Sequence, residues 1–128
     1  MYALVDGRAG SVLEDIWTAS GAAQWSTVET ILLHVGAELG EGNLPAWWPS
    51  GLPKRRGRGD VDDEFVPVFA PVMPAAADVL TQIQNASGVG KAIALEAILH
   101  WVGTQLDDNG LPSWWPTPSF QQEALIPA

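Results

Sequence analysis

The sequence predicts a mainly α-helical protein with an internally duplicated four-helix arrangement, in which two helical hairpins are related by a pseudo-two-fold axis. Three observations support this fold class: an ungapped internal repeat, apolar residues at helical spacing in both copies, and glycine-rich or proline-rich breaks between helical stretches. The 128 residues are 47% hydrophobic and 16% charged, which suits one compact domain with a continuous core. Short extended, proline-rich arms complete the predicted architecture.

The two halves of the chain align without a gap at an offset of 67 residues, and about 20 of 50 aligned pairs are identical. Each copy closes on a Pro-x-Trp-Trp-Pro turn. We interpret 1–50 and 68–117 as two repeat units, packed as a dimer fused into one chain would be. The unrepeated parts are a charged connector, 51–67, and a C-terminal tail, 118–128.

Each unit is predicted to begin with an extended segment, at 2–5 in the first copy and 69–72 in the second. Pro67, Pro71 and Pro74 surround the second segment. Proline has no backbone N–H to donate to a strand ladder, so this segment is expected to be an edge strand or a polyproline-like arm.

A first helix follows in each unit. Ser11 and Glu14 have the spacing of a capping box, which predicts a start at Ser11, and Asp78 is the corresponding cap in the second copy. Apolar residues three and four apart define one face, and the sequence Ala-Ser-Gly ends the helix in both copies.

The second helix of each unit is predicted to be longer. Ser26 and Glu29 again have capping-box spacing, and the predicted ends lie near Gly40 and Gly42 in the first copy and before Gly110 in the second. Both helices carry the same apolar stripe: Val28, Ile31, Leu32, Val35 and Leu39 in the first unit, and Leu95, Ile98, Leu99, Val102 and Leu106 in the second.

One glycine interrupts each second helix, Gly36 in the first unit and Gly103 in the second. A helical glycine costs about 1 kcal/mol relative to alanine, so its retention in both copies suggests a packing role. We expect the two second helices to cross at these glycines, which would place both residues in the interface between the repeat units.

Composition and charge limit the possible functions. The formal net charge is −9, which argues against a free nucleic-acid binder and favours either solubility or a basic protein partner. There is no cysteine, and no run of about 18 apolar residues that would cross a membrane. The first residues lack a signal-peptide pattern, so we expect a protein of the cytoplasm or of a virion or comparable assembly.

No catalytic motif emerges from the sequence, and we predict no enzyme activity, no metal site and no cofactor. His34 and His100 are not equivalent in the repeat, so they do not make a symmetric site; His34 with Glu38 reads as a surface pair. Glu29 and Glu96 are equivalent, and we expect structural or solvent-facing roles for both. The alternative is that the two carboxylates meet across the pseudo-two-fold axis for acid–base work.

The paired tryptophans are the strongest clue to a partner, because tryptophan is enriched in interface hot spots. One indole of each pair is expected to be buried at the end of its helical unit. The other is expected to lie at the interface between the two units or on the outer surface. The basic cluster in the connector is a second candidate contact, with an acidic neighbour or, less favourably, with phosphates. The predicted partner-binding residues are Trp47, Trp48, Trp114, Trp115, Lys54, Arg55, Arg56 and Arg58.

Three functions fit these observations. The first is a non-catalytic interaction or assembly subunit, such as a virion accessory protein, which binds a protein partner or a larger assembly. The second is a small acidic inhibitor or regulator that binds a basic protein. The third is a ligand-binding protein or enzyme with a site at the repeat interface, formed by Glu29, Glu96 and tryptophan side chains.

Overall fold

The computed structural model describes residues 2–39, 44–49, 52 and 65–115. In this part of the chain, four helices and a two-stranded sheet confirm the predicted mainly α-helical class. The elements in chain order are β1 Tyr2–Asp6, α1 Gly7–Ser20, α2 Gln24–Ala37, β2 Phe65–Phe69, α3 Pro74–Ser87 and α4 Lys91–Gly103.

The first helices begin earlier than the sequence analysis predicts. α1 begins at Gly7, and the Asp6 side chain caps it by accepting a hydrogen bond from the Ala9 N–H at 2.8 Å. α3 begins at Pro74, a residue suited to the first helical position because the N–H it lacks would have no partner there. The predicted caps at Ser11 and Asp78 are therefore wrong, since both residues lie inside their helices.

The second helices also differ from their prediction. α2 begins at Gln24 and α4 at Lys91, neither with a side-chain cap, so the predicted capping box at Ser26 is wrong. They end at Ala37 and Gly103 and are no longer than the first helices. The predicted helices were too long because the apolar pattern continues to Leu39 and Leu106. In the structure, these two residues pack against the core from the turn beyond each helix.

The break between the two helices of each unit lies where it is predicted. Gly21 and Gly88 both end a first helix with φ of 76°, in the left-handed region that side chains with a Cβ disfavour. Their N–H groups donate to the carbonyl oxygens of Trp17 and Gln84. Each glycine thereby satisfies one of the carbonyls left without a partner at the helix end.

The two strands pair antiparallel, with Tyr2 opposite Phe69, Leu4 opposite Pro67 and Asp6 opposite Phe65. Of the segment predicted at 69–72 as an edge strand or polyproline-like arm, only Phe69 belongs to β2, which runs back from there into the predicted connector; residues 70–72 belong to no helix or strand. β2 therefore runs from Phe65, opposite Asp6, to Phe69, opposite Tyr2. Pro67 lies within β2 opposite Leu4, as an edge strand permits for a residue without an N–H, and Pro71 and Pro74 follow the end of the strand.

The helices pack across the two repeat units more than within them. α1 contacts α4 more extensively than α2, and α2 contacts α3 more extensively than α1. A single core results, filled by buried aliphatic side chains from all four helices and both strands. The largest fully buried members on the helices are Leu13, Ile16, Ile31, Leu32, Ile83, Leu95, Ile98 and Leu99.

Gly36 and Gly103 lie where helices of different units approach closely. A Cβ at Gly36 would lie 2.6 Å from Val79 Cγ2, and one at Gly103 would lie 2.8 Å from Val12 Cγ2. The expected crossing of the two second helices at these glycines is wrong, because each glycine faces the first helix of the other unit. The side chain that needs the room is a stiff, β-branched valine, and it is equivalent in both cases.

Candidate functional site

Glu29 and Glu96 each accept a backbone hydrogen bond at the start of a helix in the other repeat unit. Glu29 Oε1 accepts a hydrogen bond from the Met73 N–H, and Glu96 Oε2 accepts one from the Asp6 N–H, both at 2.8 Å. Met73 and Asp6 are the N-cap residues of α3 and α1. Each glutamate thus places its carboxylate at the N-terminus of a helix in the other unit, where a negative charge is stabilising.

Four aromatic rings form two stacked pairs across the units. Trp47 lies on Trp101 with ring centroids 4.2 Å apart and an interplanar angle of 4°, and Trp114 lies on His34 at 3.7 Å and 5°. Trp101 and Trp114 are also nearly parallel, at 6.3 Å. His34 and Trp101 are equivalent at the 67-residue offset, as are Trp47 and Trp114, so each unit supplies one ring to each pair.

The second indole of each pair is tilted against the first. Trp48 makes an angle of 40° with Trp47, and Trp115 makes one of 45° with Trp114; all four are half-buried and pack against the core. The indole nitrogens of Trp47 and Trp114 are buried and have no hydrogen-bond partner among the described residues. These side chains therefore contribute much of their surface to the interior, and Trp47 and Trp114 also line surface depressions.

A surface depression, which we call the first cleft, has a volume of about 500 Å³. Its walls include Arg8, Trp47, Leu52, Glu96, His100 and Trp101. This volume falls within the range of small-molecule sites, which are mostly apolar with a few converging polar groups.

The polar wall of the first cleft is organised around the start of α1. His100 Nε2 lies 3.1 Å from Asp6 Oδ1, and that oxygen also accepts the Ala9 N–H. Glu96, only 8% exposed, holds the Asp6 N–H. Arg8, exposed and one helical position after Gly7, adds a cation to the lining of this cleft.

A second cleft, of about 380 Å³, is lined by Thr30, Leu33, His34 and Trp114. These residues are the 67-residue equivalents of Ala97, His100, Trp101 and Trp47, all of which line the first cleft. The two clefts thus occupy corresponding places but differ in chemistry, since Leu33 stands where the first cleft has His100.

The outer sheet face, which we define as Tyr2, Leu4, Pro67 and Phe69, is an apolar surface. Tyr2 is 53% exposed, Leu4 43% and Phe69 62%, whereas the alternate residues Ala3, Val5 and Val68 are buried in the core. The alternation of buried and exposed positions is expected for a strand, but apolar side chains at the exposed positions are not.

The predicted site residues have different outcomes. Trp47 lines the first cleft and Trp114 the second, whereas Trp48 and Trp115 pack against the core; the structure does not test a partner at any of the four. Lys54, Arg55, Arg56 and Arg58 lie outside the described residues. His34 and Glu38 form a pair at 3.2 Å on one helix, and no three potential metal ligands cluster among the described residues.

The sequence analysis missed Asp6, Arg8 and the outer sheet face. A signal for the face was present: Tyr2 and Leu4 alternate with Ala3 and Val5, so both faces of the strand are apolar. A signal for the cleft was present as well, because Arg8 and His100 are charged or polar where their equivalents, Ala75 and Leu33, are apolar.

No helix in the described part of the chain has the length and apolarity needed to span a bilayer. The sequence matches no protein-family model, and neither a curated protein nor a solved structure gives a significant match. The chemistry of the clefts and of the outer sheet face is therefore the basis for assigning a function.

Proposed function

We propose that this protein is a non-catalytic interaction subunit that assembles with a second copy of itself through the outer sheet face. The observation that carries this proposal is the exposure of Tyr2, Leu4 and Phe69 on one side of the β1–β2 sheet. Large apolar side chains that are grouped and exposed mark interaction sites more often than isolated ones do.

The pairing of the strands makes this patch continuous. Tyr2 and Phe69 are directly opposed, and Leu4 is opposed to Pro67, so the four side chains lie on the same face of neighbouring strands. Cross-strand neighbours are about 5 Å apart at Cβ, which leaves no room for water between rings of this size. The patch therefore behaves as one apolar surface.

The lack of charge on this face, in a chain that is otherwise strongly acidic, permits a second copy as its occupant. Two chains with a formal charge of −9 repel one another through most of their surfaces. The outer sheet face has no charged member, so it is a place where two copies can approach. Tyr2 and Phe69 are also equivalent in the repeat, and a patch centred on this pair suits a two-fold contact.

The size of the face predicts a weak dimer. A stable interface buries about 800 Å² on each partner. Three partly exposed side chains supply less than this area, so self-association should depend on concentration and should strengthen in salt, which screens the repulsion between acidic surfaces. The setting that we propose for such a subunit is the cytoplasm, or a virion or comparable assembly.

The test is the native mass over a range of protein concentrations, measured by light scattering at low and high salt. The wild-type chain should dimerise as concentration rises, and Phe69→Ser should shift the transition to about tenfold higher concentration, the equivalent of the roughly 1.4 kcal/mol that burying part of an aromatic ring contributes.

The matched control is Trp25→Ser, which removes an aromatic side chain that is 46% exposed on α2 and lies outside the outer sheet face. This variant should dimerise like the wild type. A chain that remains monomeric at every concentration, or a Phe69→Ser variant that dimerises unchanged, would contradict the proposal. Binding to a basic protein that salt weakens would instead support the acidic-regulator hypothesis.

A further inference from the structure

The exposed large apolar side chains of the described residues fall into two groups. Those that lie off the outer sheet face are Trp25, 46% exposed, Leu33, 40%, and Met73, 47%. These three surround one carboxylate, that of Glu29, and we call the four residues together the α2 surface. We propose that the α2 surface docks a segment of another protein that carries arginine or lysine between apolar side chains. The proposal goes beyond self-association, holds whether or not the chain dimerises, and gives the acidic-regulator hypothesis a site.

The geometry of α2 and α3 brings the members of this surface together. Trp25 and Leu33 lie one turn on either side of Glu29, because residues four apart share a helix face. Met73 approaches from the start of α3, where its N–H donates to Glu29 Oε1 at 2.8 Å. That hydrogen bond holds the carboxylate in place, and no donor among the described residues bonds to its second oxygen, Oε2. A carboxylate oxygen is therefore available amid exposed apolar side chains.

The α2 surface continues into the second cleft. Leu33 belongs to both, and it lines this space of about 380 Å³ together with Thr30, His34 and Trp114. Side chains that fill pockets at the centre of an interface carry most of the binding energy. We therefore expect an apolar side chain of the partner to enter the second cleft while a neighbouring cationic side chain reaches Glu29.

The other repeat unit has the same hydrogen bond without such a surface. Glu96, the equivalent of Glu29, is only 8% exposed and accepts its backbone hydrogen bond at the same distance of 2.8 Å. The residues equivalent to Trp25, Leu33 and Met73 are Ala92, His100 and Asp6. A glutamate can thus hold the start of a helix without large apolar neighbours. The fold that the two units share does not account for the apolar side chains around Glu29, whereas a docking surface does.

The charge around Glu29 selects a cationic partner. α2 and α3 contain no lysine or arginine. The segments outside the described residues that follow α2 and Trp115 in the chain, 40–43 and 116–128, contain none either. The whole chain, including the basic run of the connector, has a formal charge of −9. A carboxylate beside apolar groups interacts more strongly than one in bulk water, and its hydrogen bonds to arginine or lysine are of the strong, charge-assisted kind.

The experiment measures the binding of three fluorescently labelled peptides of equal length to the full chain by anisotropy. One peptide alternates leucine and arginine, one leucine and glutamate, and one serine and arginine. The leucine–arginine peptide should bind, and each of the others should bind at least about tenfold more weakly, because one lacks the charge-assisted contact and the other lacks apolar burial. The serine–arginine peptide also measures the attraction of an acidic chain for any basic peptide.

Two variants locate the binding site. Glu29→Gln and Trp25→Ser should each weaken binding of the leucine–arginine peptide by about tenfold. Glutamine keeps an oxygen that accepts the Met73 N–H, and Trp25 is exposed, so both variants are expected to fold; if Glu29→Gln does not, the Trp25→Ser result decides. The matched control is Glu14→Gln, which removes the same charge from an exposed position of α1 and should bind the peptide like the wild type.

The proposal is overturned if the leucine–arginine peptide does not bind, if the serine–arginine peptide binds equally well, or if Glu14→Gln weakens binding as much as Glu29→Gln does. Self-association is separated from docking by two reciprocal variants. Phe69→Ser should lose dimerisation and keep peptide binding, whereas Trp25→Ser should keep dimerisation and lose peptide binding. Salt should strengthen the dimer and weaken the peptide complex. Loss of both properties in both variants would contradict two separate surfaces.

Discussion

The two repeat units are alike at several of the contacts between them and different at their clefts. Glu29 and Glu96 accept equivalent hydrogen bonds, and Gly36 and Gly103 accommodate equivalent valines. At the clefts, by contrast, equivalent residues differ, as in His100 and Leu33. These identical residues make the same contact between units twice, whereas the residues at the clefts differ while the fold of the two units stays the same.

The largest expected effect is at the stacked rings. Trp101→Ala should destabilise the protein by about 3 kcal/mol, because it empties the space against which Trp47 packs. His34→Ala, at the equivalent position, should cost about 1 kcal/mol, since the smaller ring is partly exposed. Chemical denaturation of the two variants measures the difference, and equal losses would show that the two stacks are energetically equivalent.

The second effect is at the close contacts between units. Gly36→Ala and Gly103→Ala should each destabilise the protein by about 1–2 kcal/mol, because overpacking against a stiff valine outweighs the gain in helix propensity. The second-site variant Val12→Ala should relieve Gly103→Ala but not Gly36→Ala. A double-mutant cycle on the free energy of unfolding checks this pairing; rescue of both glycine variants by Val12→Ala would exclude it.

The fold was predictable where local patterns and the repeat agree, and not where tertiary contacts decide. The apolar stripes predicted the helices, and the glycines predicted the breaks at Gly21 and Gly88. The start of α1 was predicted wrongly because Ser11 and Glu14 have the spacing of a capping box, although both residues lie inside the helix. Pro74 is the first residue of α3, and the equivalent position 67 residues earlier is Gly7, the first residue of α1.

The first cleft was not predictable in the same way. Arg8, Trp47 and Glu96 are far apart in the sequence, and they meet only because α1 packs on α4 rather than mainly on its own hairpin partner. The expected crossing of the second helices failed for the same reason. An internal repeat defines equivalent positions, but it does not say which unit supplies the neighbour at each one.

The third effect separates the two glutamates by burial. Glu96→Ala should cost about 2 kcal/mol and Glu29→Ala about 1 kcal/mol, because both leave an N-cap N–H without its acceptor but only Glu96 is buried. Thermal or chemical unfolding distinguishes them. A larger loss of stability for Glu29→Ala would mean that capping of α3 contributes more than the burial of Glu96. The N-cap residue of α3, Met73, has no side-chain acceptor of its own.

The smallest expected effect is at the clefts themselves. His100→Leu gives the first cleft the residue of the second, and it should change the free energy of unfolding by no more than about 0.5 kcal/mol. His100 is partly exposed, leucine already occupies the equivalent position in the second cleft, and Asp6 still accepts the Ala9 N–H that caps α1. A loss above about 1 kcal/mol in chemical denaturation would show that the His100–Asp6 contact helps to hold α1 on α4. The difference between the clefts would then belong to the packing of the units, as the difference between the stacked rings of His34 and Trp101 already does.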